Sequence, residues 1–360
     1  MIPVVQDEEQ RFRFAEEVRA YNPVLVLHGP EVFDEGDALL LIDTFRPVRV
    51  IVAGVMARTA AEESGIPLEY AGVPPSVALR SLTSAFLATR GKTRESGRIF
   101  GEIVSSHLGE KGLVQVECRA SVVYAWGEGN LPMARALSGA LGFDTVAMTA
   151  ANRIPDSTSR AIRGCLPGEP VFVNGIVIGH ASSETVVLKK TAYGVAGISG
   201  LVPKRHGLEK LARSGPVDLA AAWCKSGPVR TRSPVLSPCT SVKGRIVVAD
   251  HCAADLYGLL KGEVCGVLSI GDDTTAVCGH IASHLGIPVF GVVDDDADRI
   301  VSPGFADGSV IVRVREGTDD ELGAEIAPLV GAEPQFWKEF VEEMLRFLGD
   351  RVAVMEPKTV

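Results

Sequence analysis

The sequence predicts an α/β protein with two Rossmann-like parallel-sheet units and a small β-rich module between them. In the run from Arg245 to Asp298, three strands rich in Val and Ile alternate with two stretches of helical character. A similar alternation of strands and helices occurs near the amino terminus. Continuous apolar strands separated by helices are typical of a parallel sheet that is covered on both faces.

Every strand of the carboxyl-terminal run ends in acidic residues. The first strand ends at Asp250, the second is followed by Asp272 and Asp273, and the third is followed by Asp294, Asp295, Asp296 and Asp298. The carboxyl ends of parallel strands share one edge of a sheet, and ligands bind at that edge. We therefore expect these carboxylates to converge.

Convergent carboxylates repel one another unless a cation lies between them. Oxygen ligands favour hard divalent ions, so we expect Mg²⁺ or Mn²⁺ at Asp250, Asp272, Asp294 and Asp296. The alternative is that single aspartates are solvated turn residues or helix caps, as Asp273 would be before the following helix.

The same edge offers groups for catalysis and for binding an anion. Asp250, His251 and Asp273 are the candidate catalytic residues, with His251 as a proton acceptor near neutral pH. The candidate cofactor-binding residues there are Gly271, Thr274 and Thr275, because a helix amino terminus after a glycine attracts phosphate.

In the amino-terminal unit, Gly29 and Glu31 follow the first strand and are further candidate cofactor-binding residues. Both units contain a strand, a Gly, a helix and the tripeptide G-I-P before the next strand. This similarity indicates either an internal duplication or, as we prefer, two copies of a common supersecondary unit.

Residues 75–111 are predicted to be helical and carry a basic stretch. Its residues are Arg80, Arg90, Lys92, Arg94 and Arg98. The stretch lacks the Walker A spacing and follows no evident strand, so a phosphate-binding loop is not indicated. We prefer a solvated basic face, with a clamp on a substrate phosphate as the alternative.

The chain is divided into four parts by its composition. Residues 1–150 form the amino-terminal α/β domain, and 151–240 form a β-rich module with an Asn174-Gly175 hairpin turn and a linker. Residues 241–330 form the second α/β unit. Residues 331–360 contain an amphipathic helix, which docks on the core or, alternatively, forms a homodimer contact.

Composition excludes several classes of function. The chain has 360 residues, 46% hydrophobic, and a net charge of −9, which does not indicate a nucleic-acid or anionic-membrane surface. No apolar run reaches membrane-spanning length and the start lacks signal-peptide features, so we expect a cytoplasmic protein. Seven cysteines without a C-x-x-C pair indicate neither a disulfide framework nor a zinc knuckle. Only four Asn and four Gln occur, which is typical of thermophilic proteins.

Other motifs point away from familiar chemistry. His280 and His284 share one helix face, but without a neighbouring Glu motif they are predicted to be exposed polar residues rather than zinc ligands. No nucleophile elbow and no G-x-G-x-x-G fingerprint occur.

Several motifs carry a resemblance to a known family: LHGPEVFDEG, VNGIVIG, KRHGLEKL, IGDDTT and GVVDDDAD. They resemble an uncharacterised archaeal family, known mainly from methanogens, that carries a domain of unknown function. The carboxyl-terminal unit is also similar to the Toprim fold, with Asp250 in place of its first acid and Asp294 with Asp296 as its D-x-D. Toprim proteins have Glu at the first place, so Asp250 departs from that pattern.

These observations favour a divalent-metal-dependent enzyme, of phosphoryl-transfer or hydrolase type, that acts on a phosphorylated or nucleotide-like small molecule. One alternative is a regulatory protein that binds a nucleotide or cofactor without catalysis. The other is a Toprim-type nucleic-acid enzyme, against which the acidic composition argues.

Overall fold

The computed structural model of the protein describes residues 8–149, 156–192, 194–213, 215–239, 241–295 and 297–355. Contacts divide the chain into two compact units, Met1–Gly168 with His180–Ala222, and Glu169–Gly179 with Trp223–Val360. Each unit is therefore built from two stretches of the chain. The four-part division predicted from composition stays a prediction. Among the described residues, no helix combines the length and the hydropathy that crossing a bilayer requires.

The strands are, in chain order, β1 Val24–His28, β2 Arg49–Ala53, β3 Glu69–Tyr70, β4 Ala85–Thr89, β5 Leu113–Glu117, β6 Val122–Trp126, β7 Asp144–Met148, β8 Ser159–Arg163, β9 Pro170–Val173, β10 Ile176–Ala181, β11 Thr185–Thr191, β12 Gly194–Ser199, β13 Leu201–Pro203, β14 Cys224–Ser226, β15 Lys243–Asp250, β16 Val264–Ile270, β17 Val289–Val293, β18 Val310–Val314, β19 Gln335–Phe336 and β20 Val352–Met355.

The helices are α1 Glu8–Ala20, α2 Glu31–Asp34, α3 Asp37–Phe45, α4 Val55–Ser64, α5 Pro75–Arg80, α6 Arg94–Leu108, α7 Leu131–Leu141, α8 Arg205–Arg213, α9 Leu256–Leu259, α10 Asp272–His284, α11 Asp319–Ile326 and α12 Trp337–Leu348.

The sheet of the first unit has the strand order β3-β2-β1-β4-β5-β6-β7. Its strands pair in parallel except for the antiparallel pair β5 and β6. Alternate residues of β1 enter different cores, with Leu25 and Leu27 on one face and Val24 and Val26 on the other. Both faces of the sheet are thus covered, and the predicted α/β class is confirmed.

Strand β4 corrects the prediction that residues 75–111 are helical throughout. Ala85–Thr89 lies between β1 and β5, and Phe86 and Leu87 are fully buried. The run is only five residues long and apolar on both sides, and such runs have no periodicity that separates a strand from a buried helix.

The predicted β-rich segment does contain strands. In the first unit, β11 pairs antiparallel with both β8 and β12. In the second unit, β9 pairs antiparallel with β14. Asn174 and Gly175, which follow β9, have φ angles of 50° and 86°, as the predicted two-residue hairpin turn requires.

The main sheet of the second unit has the order β19-β15-β16-β17-β18-β20. Strands β15 to β18 run parallel, and β19 and β20 pair antiparallel at the two edges. One face packs under α11 and α12, through residues that include Phe290, Leu322 and Met344. On the opposite face, α10 packs against β16 and β17.

The last described part of the chain contains the predicted amphipathic helix and, after it, a strand that was not predicted. Helix α12 docks on the core through Phe340 and Met344, as the amphipathic pattern predicts. The helix does not close the described chain, however, because β20 follows it and pairs with β18. This strand is four residues long, and its sequence alone carries little periodicity.

Candidate cation site

Aspartates of the second unit meet where β15, β16 and β17 end. Asp250 is the last residue of β15, Asp272 opens α10 after β16, and Asp294 follows β17. Asp319 opens α11, which packs against β16 and β17 and so brings its first turn to the same edge. We call Asp250, His251, Asp272, Asp294, Asp319 and Asp320 the acidic rim.

One group of three carboxylates within the acidic rim is close enough together to hold a cation. Asp272, Asp294 and Asp319 each offer an oxygen, and these oxygens lie within 4.8 Å of one another. Asp319 is buried, with 5% of its surface exposed. Three carboxylates this close repel each other in a partly dry environment, and a divalent cation would relieve that repulsion.

The carboxyl group of Asp294 provides an independent indication. Its Oδ1 is buried and has no hydrogen-bond partner within the described part of the chain. A buried oxygen without a donor costs free energy unless another ligand satisfies it. A cation held with Asp272 and Asp319 would do so, and the donor set therefore fits Mg²⁺ or Mn²⁺.

A second group adjoins the first and shares Asp319. It contains one atom each of His251, Asp319 and Asp320, again within 4.8 Å of one another. Nδ1 of His251 lies 2.5 Å from Oδ1 of Asp250, and Nε2 lies 3.2 Å from Oδ1 of Asp320. Asp250 therefore orients the imidazole, whose other edge faces the first turn of α11.

The backbone around His251 and Gly271 is unusual. His251 has a φ of 52°, in the left-handed region that non-glycine residues seldom adopt. Gly271 has a φ of 104°, and a Cβ there would lie 2.9 Å from Nε2 of His251. Glycine is thus required at 271 for its conformation and for the close approach of the imidazole.

Asp272 and Asp273 also fasten the loop that follows β17. Asp272 accepts the N–H of Asp294 at 2.9 Å and the N–H of Asp295 at 3.2 Å. Asp273 accepts the N–H of Asp298 at 3.0 Å. Neither residue is the helix cap, because Gly271 occupies that position. The proposed catalytic role of Asp273 stays a prediction, since its contact here is with the loop.

Thr274 and Thr275 are both buried in the first turns of α10. The hydroxyl of Thr275 lies 2.8 Å from that of Ser269 on β16. This contact ties the helix to the sheet. The predicted contact of the two threonines with a ligand phosphate stays a prediction.

Gly29 and Glu31 belong to the first unit, whereas the other predicted binding residues belong to the second. Gly29 has a φ of 91°, and a Cβ there would lie 2.7 Å from Oε2 of Glu31. His28, the residue before Gly29, stacks on Phe100 with ring centroids 4.6 Å apart. The ring is held by a contact of 2.8 Å between its Nδ1 and the carbonyl oxygen of Ala53.

The first unit contains a fully buried carboxylate that no sequence motif singles out. Glu117, at the end of β5, accepts hydrogen bonds from Thr89 Oγ1 and from the N–H groups of Gly91 and Arg119. Burial raises the pKa of Glu117, and these hydrogen bonds oppose the rise. The carboxylate fixes the loop after β4.

The basic stretch is partly committed to ion pairs within the first unit. Arg90 pairs with Asp37 at 2.7 Å, and both side chains are largely buried. Arg98 pairs with Glu95 and Glu102 along α6. Arg90 is therefore not part of a solvated basic face as predicted, because its side chain is largely buried in an ion pair.

The prediction that His280 is exposed was wrong. His280 is fully buried, with Nδ1 2.8 Å from the carbonyl oxygen of Ser302 and Nε2 3.1 Å from Nη1 of Arg230. The helix face that carries it is covered by the segment after β17, since Gly279 lies against Phe305. Sequence periodicity did not reveal this cover.

Of the predicted metal ligands, Asp272 and Asp294 lie in one group of carboxylates. Asp250 does not lie in that group and instead contacts Nδ1 of His251. Asp296 lies outside the described residues. Asp319 and Asp320 were missed. A signal existed, because Thr318 forms a capping box with Glu321, and a helix that follows a parallel strand begins at the carboxyl edge of the sheet.

The fold and the site together define an α/β protein with a carboxylate-lined candidate cation site. The chain belongs to the family described as "Uncharacterized protein conserved in archaea" (DUF2117), whose model matches residues 25–332. The resemblance to an uncharacterised archaeal family is thereby confirmed.

Among curated proteins, the chain is similar to "Uncharacterized protein MJ0065" of Methanocaldococcus jannaschii. The two are 28% identical over 352 residues, with 91% of this chain and 96% of the relative covered. No solved structure matches the chain. The similarity to the Toprim fold therefore stays a prediction.

Proposed function

We propose that the protein is a divalent-metal-dependent enzyme that acts on a phosphorylated or nucleotide-like small molecule. The observation that carries the proposal is the meeting of Asp272, Asp294 and Asp319, together with the buried Oδ1 of Asp294, which has no hydrogen-bond partner among the described residues. These three residues would hold Mg²⁺ or Mn²⁺ through carboxylate oxygens.

Bound there, the cation would supply Lewis-acid activation of a phosphoryl oxygen and would orient the substrate. Side chains of the protein would provide the proton acceptor for the reaction. Asp250 holds His251 by its Nδ1, so the imidazole presents Nε2 toward Asp319 and Asp320. From that position His251 would take a proton from an attacking water or hydroxyl group.

The substrate class follows from the charge of the site. The rim is rich in carboxylates, so an anionic substrate would be repelled unless the cation is bound first. A phosphate or a diphosphate would add further oxygen ligands to a Mg²⁺ ion that the three carboxylates hold. The proposal thus implies ordered binding, with the cation before the phosphorylated substrate.

The proposal is tested by thermal unfolding of EDTA-treated protein with Mg²⁺, Mn²⁺, Ca²⁺ or Zn²⁺, each with and without a panel of nucleotides and sugar phosphates. A ligand at about 100 times its Kd adds about 2.7 kcal/mol of stability. We expect Mn²⁺ and Mg²⁺ to raise the midpoint and a phosphorylated compound to raise it further. Product formation is then assayed for each compound that does so.

The matched variants are Asp294→Asn and Asp307→Asn. Asp294→Asn removes the charge of the carboxylate whose Oδ1 has no partner in the described part of the chain, whereas Asp307 is an exposed aspartate of the same unit. We expect the first variant to lose the metal response and the second to retain it. A wild-type protein that no divalent cation stabilises would contradict the proposal.

A second candidate function is nucleotide or cofactor binding without catalysis, in the first unit. In its sheet, β1 and β4 are neighbours, and the strand that follows β1 lies on one side of this pair whereas the strand that follows β4 lies on the other. Ligands bind at the carboxyl end of strands at such a topological switch point. Gly29 directly follows β1, and Glu31 is the first residue of α2. Stabilisation by a nucleotide in EDTA, without turnover, would favour this function.

A further inference from the structure

The two helices that carry Asp272 and Asp319 pack on opposite faces of the same sheet. Helix α10 lies over the face of Ser269, to which Thr275 is hydrogen bonded. Helix α11 lies over the other face, where Leu268 and Phe290 share a core with Leu322. Each helix begins at the carboxyl edge, so the first residue of each contributes a carboxylate to the candidate cation site.

Helix α11 approaches the sheet through a glycine. A Cβ on Gly323 would lie 2.6 Å from Cγ2, 2.7 Å from Cδ1 and 3.0 Å from Cγ1 of Ile270. Ile270 is the last residue of β16 and is fully buried, so it has little room to move. A side chain at 323 would therefore force the helix away from the sheet.

Helix α10 approaches the other face over a glycine of the sheet. A Cβ on Gly291, in β17, would lie 2.3 Å from Cγ2 of Thr275 and 2.9 Å from Cδ1 of Ile311. Thr275 is one turn from Asp272 on the same helix. A side chain at 291 would lift the first turn of α10, and Asp272 with it.

We infer that Gly291 and Gly323 are positioning residues that set the separation between the carboxylates of Asp272 and Asp319. The inference rests on the proposed cation site, and it identifies the residues that determine the distances between the ligands of that site. Neither glycine has a positive φ, so the close approach rather than backbone conformation requires them.

The dimensions decide which cation fits. Mg²⁺ takes oxygens at about 2.0–2.1 Å in strict octahedral geometry, whereas Ca²⁺ takes them at about 2.3–2.6 Å in flexible geometry. A helix shift of a few tenths of an ångström is as large as this difference. A methyl group at 323 thus weakens Mg²⁺ and Mn²⁺ binding more than Ca²⁺ binding.

The experiment compares Gly323→Ala with Gly258→Ala in the full chain after EDTA treatment. Gly258 lies on α9 of the same unit, and a Cβ there would meet nothing within 4 Å. Calorimetric titration gives the affinities for Mn²⁺, Mg²⁺ and Ca²⁺. We expect Gly323→Ala to bind Mn²⁺ and Mg²⁺ about tenfold more weakly or worse, with a smaller loss for Ca²⁺ and no change in Gly258→Ala.

A rescue variant separates positioning from general damage. Ile270→Ala, added to Gly323→Ala, removes the three atoms that the new methyl group would meet. This double variant has a smaller core and lower stability, yet we expect it to regain Mn²⁺ affinity. If it does not, or if Gly323→Ala binds Mn²⁺ as the wild type does, the inference is wrong.

A readout without metal keeps the two proposals distinguishable. Nε2 of His251 lies 3.2 Å from Asp320 in the first turn of α11, so its NMR signals in EDTA report the position of that turn. We expect Gly323→Ala to shift these signals and Gly258→Ala to leave them. Unshifted signals overturn the inference, whereas a wild type that binds no cation overturns only the proposed function.

Should Gly323→Ala not fold, the other face provides the same comparison. Gly291→Ala places its methyl group against Thr275, and Thr275→Ser removes the Cγ2 that it would meet at 2.3 Å. We expect Mn²⁺ affinity to fall in the single variant and to return in the double variant. Equal Mn²⁺ affinity of the single and the double variant would contradict the inference.

Discussion

The backbone N–H of Asp294 donates a hydrogen bond of 2.9 Å to Oδ2 of Asp272. Asp272 thus holds the neighbouring candidate ligand in place while its own carboxylate faces the same site. A carboxylate oxygen has two lone pairs, so an amide contact leaves one for a cation. Asp272 therefore connects the stability of the loop after β17 with cation binding.

Asp272→Ala tests the structural part of this role. The variant leaves the N–H groups of Asp294 and Asp295 without their acceptor, and we expect it to lose about 1–3 kcal/mol of stability in EDTA. Asp272→Asn retains one acceptor oxygen and is expected to lose less. Urea unfolding of the three proteins gives the comparison. Equal stability of Asp272→Ala and wild type would show that these hydrogen bonds contribute little.

Asp319→Asn removes the carboxylate shared by the two groups of the acidic rim. We expect no loss of stability in EDTA, because the change relieves repulsion among carboxylates, but loss of most of the stabilisation by Mn²⁺. For wild type that stabilisation is about 2.7 kcal/mol at 100 times Kd. Thermal unfolding with and without Mn²⁺ measures both.

Asp320→Asn is the control for Asp319→Asn. It lies in the same helical turn but belongs to the second group alone. The group of Asp272, Asp294 and Asp319 stays complete in this variant, so we expect it to keep most of the Mn²⁺ response. If both variants respond as wild type does, Asp319 is not a ligand.

Glu117→Gln tests the buried carboxylate of the first unit. Burial raises the pKa of Glu117 above its ordinary value of 4.5. As the pH rises through that value, the unfolded chain loses the proton first, so the native state loses stability until its own carboxyl group ionises. Below pH 4.5 both states are protonated and the effect vanishes.

Glutamine does not ionise, so the stability of Glu117→Gln relative to wild type should increase from pH 4 toward neutral and then stay constant. Urea unfolding at a series of pH values, followed by tryptophan fluorescence, measures this difference. Trp126, in the same sheet, reports on the unit. Parallel pH profiles for the two proteins would mean that the carboxyl group ionises alike in both states.

The cysteines are expected to differ in reactivity. Burial raises the pKa of the thiols of Cys118 and Cys278, and both are inaccessible, whereas Cys239 is exposed. An aromatic disulfide reagent at pH 8 should therefore modify Cys239 rapidly and the other two only after unfolding. Mass spectrometry of the modified peptides checks the order. Early modification of Cys278 would indicate that α10 opens in the native state.

The convergence of Asp272 and Asp294 could be predicted because parallel strands share a carboxyl edge, a rule that needs only the strand order along the chain. Asp319 was missed because the capping box of Thr318 marks only where α11 begins, whereas the packing of this helix over β16 depends on the close approach at Gly323, which the sequence does not reveal. Strand β4 and the burial of His280 escaped for a similar reason. The burial of a segment depends on residues that are distant in sequence, and the periodicity of the segment itself contains no information about them.

The division of each unit into two stretches has a consequence for synthesis on the ribosome. Strand β9 belongs to the second unit, yet its partner β14 is translated only after the remainder of the first unit. The second unit therefore cannot form its Val173 to Cys224 pairing while the nascent chain ends before residue 224. For the same reason, no single cut in the gene yields either unit intact.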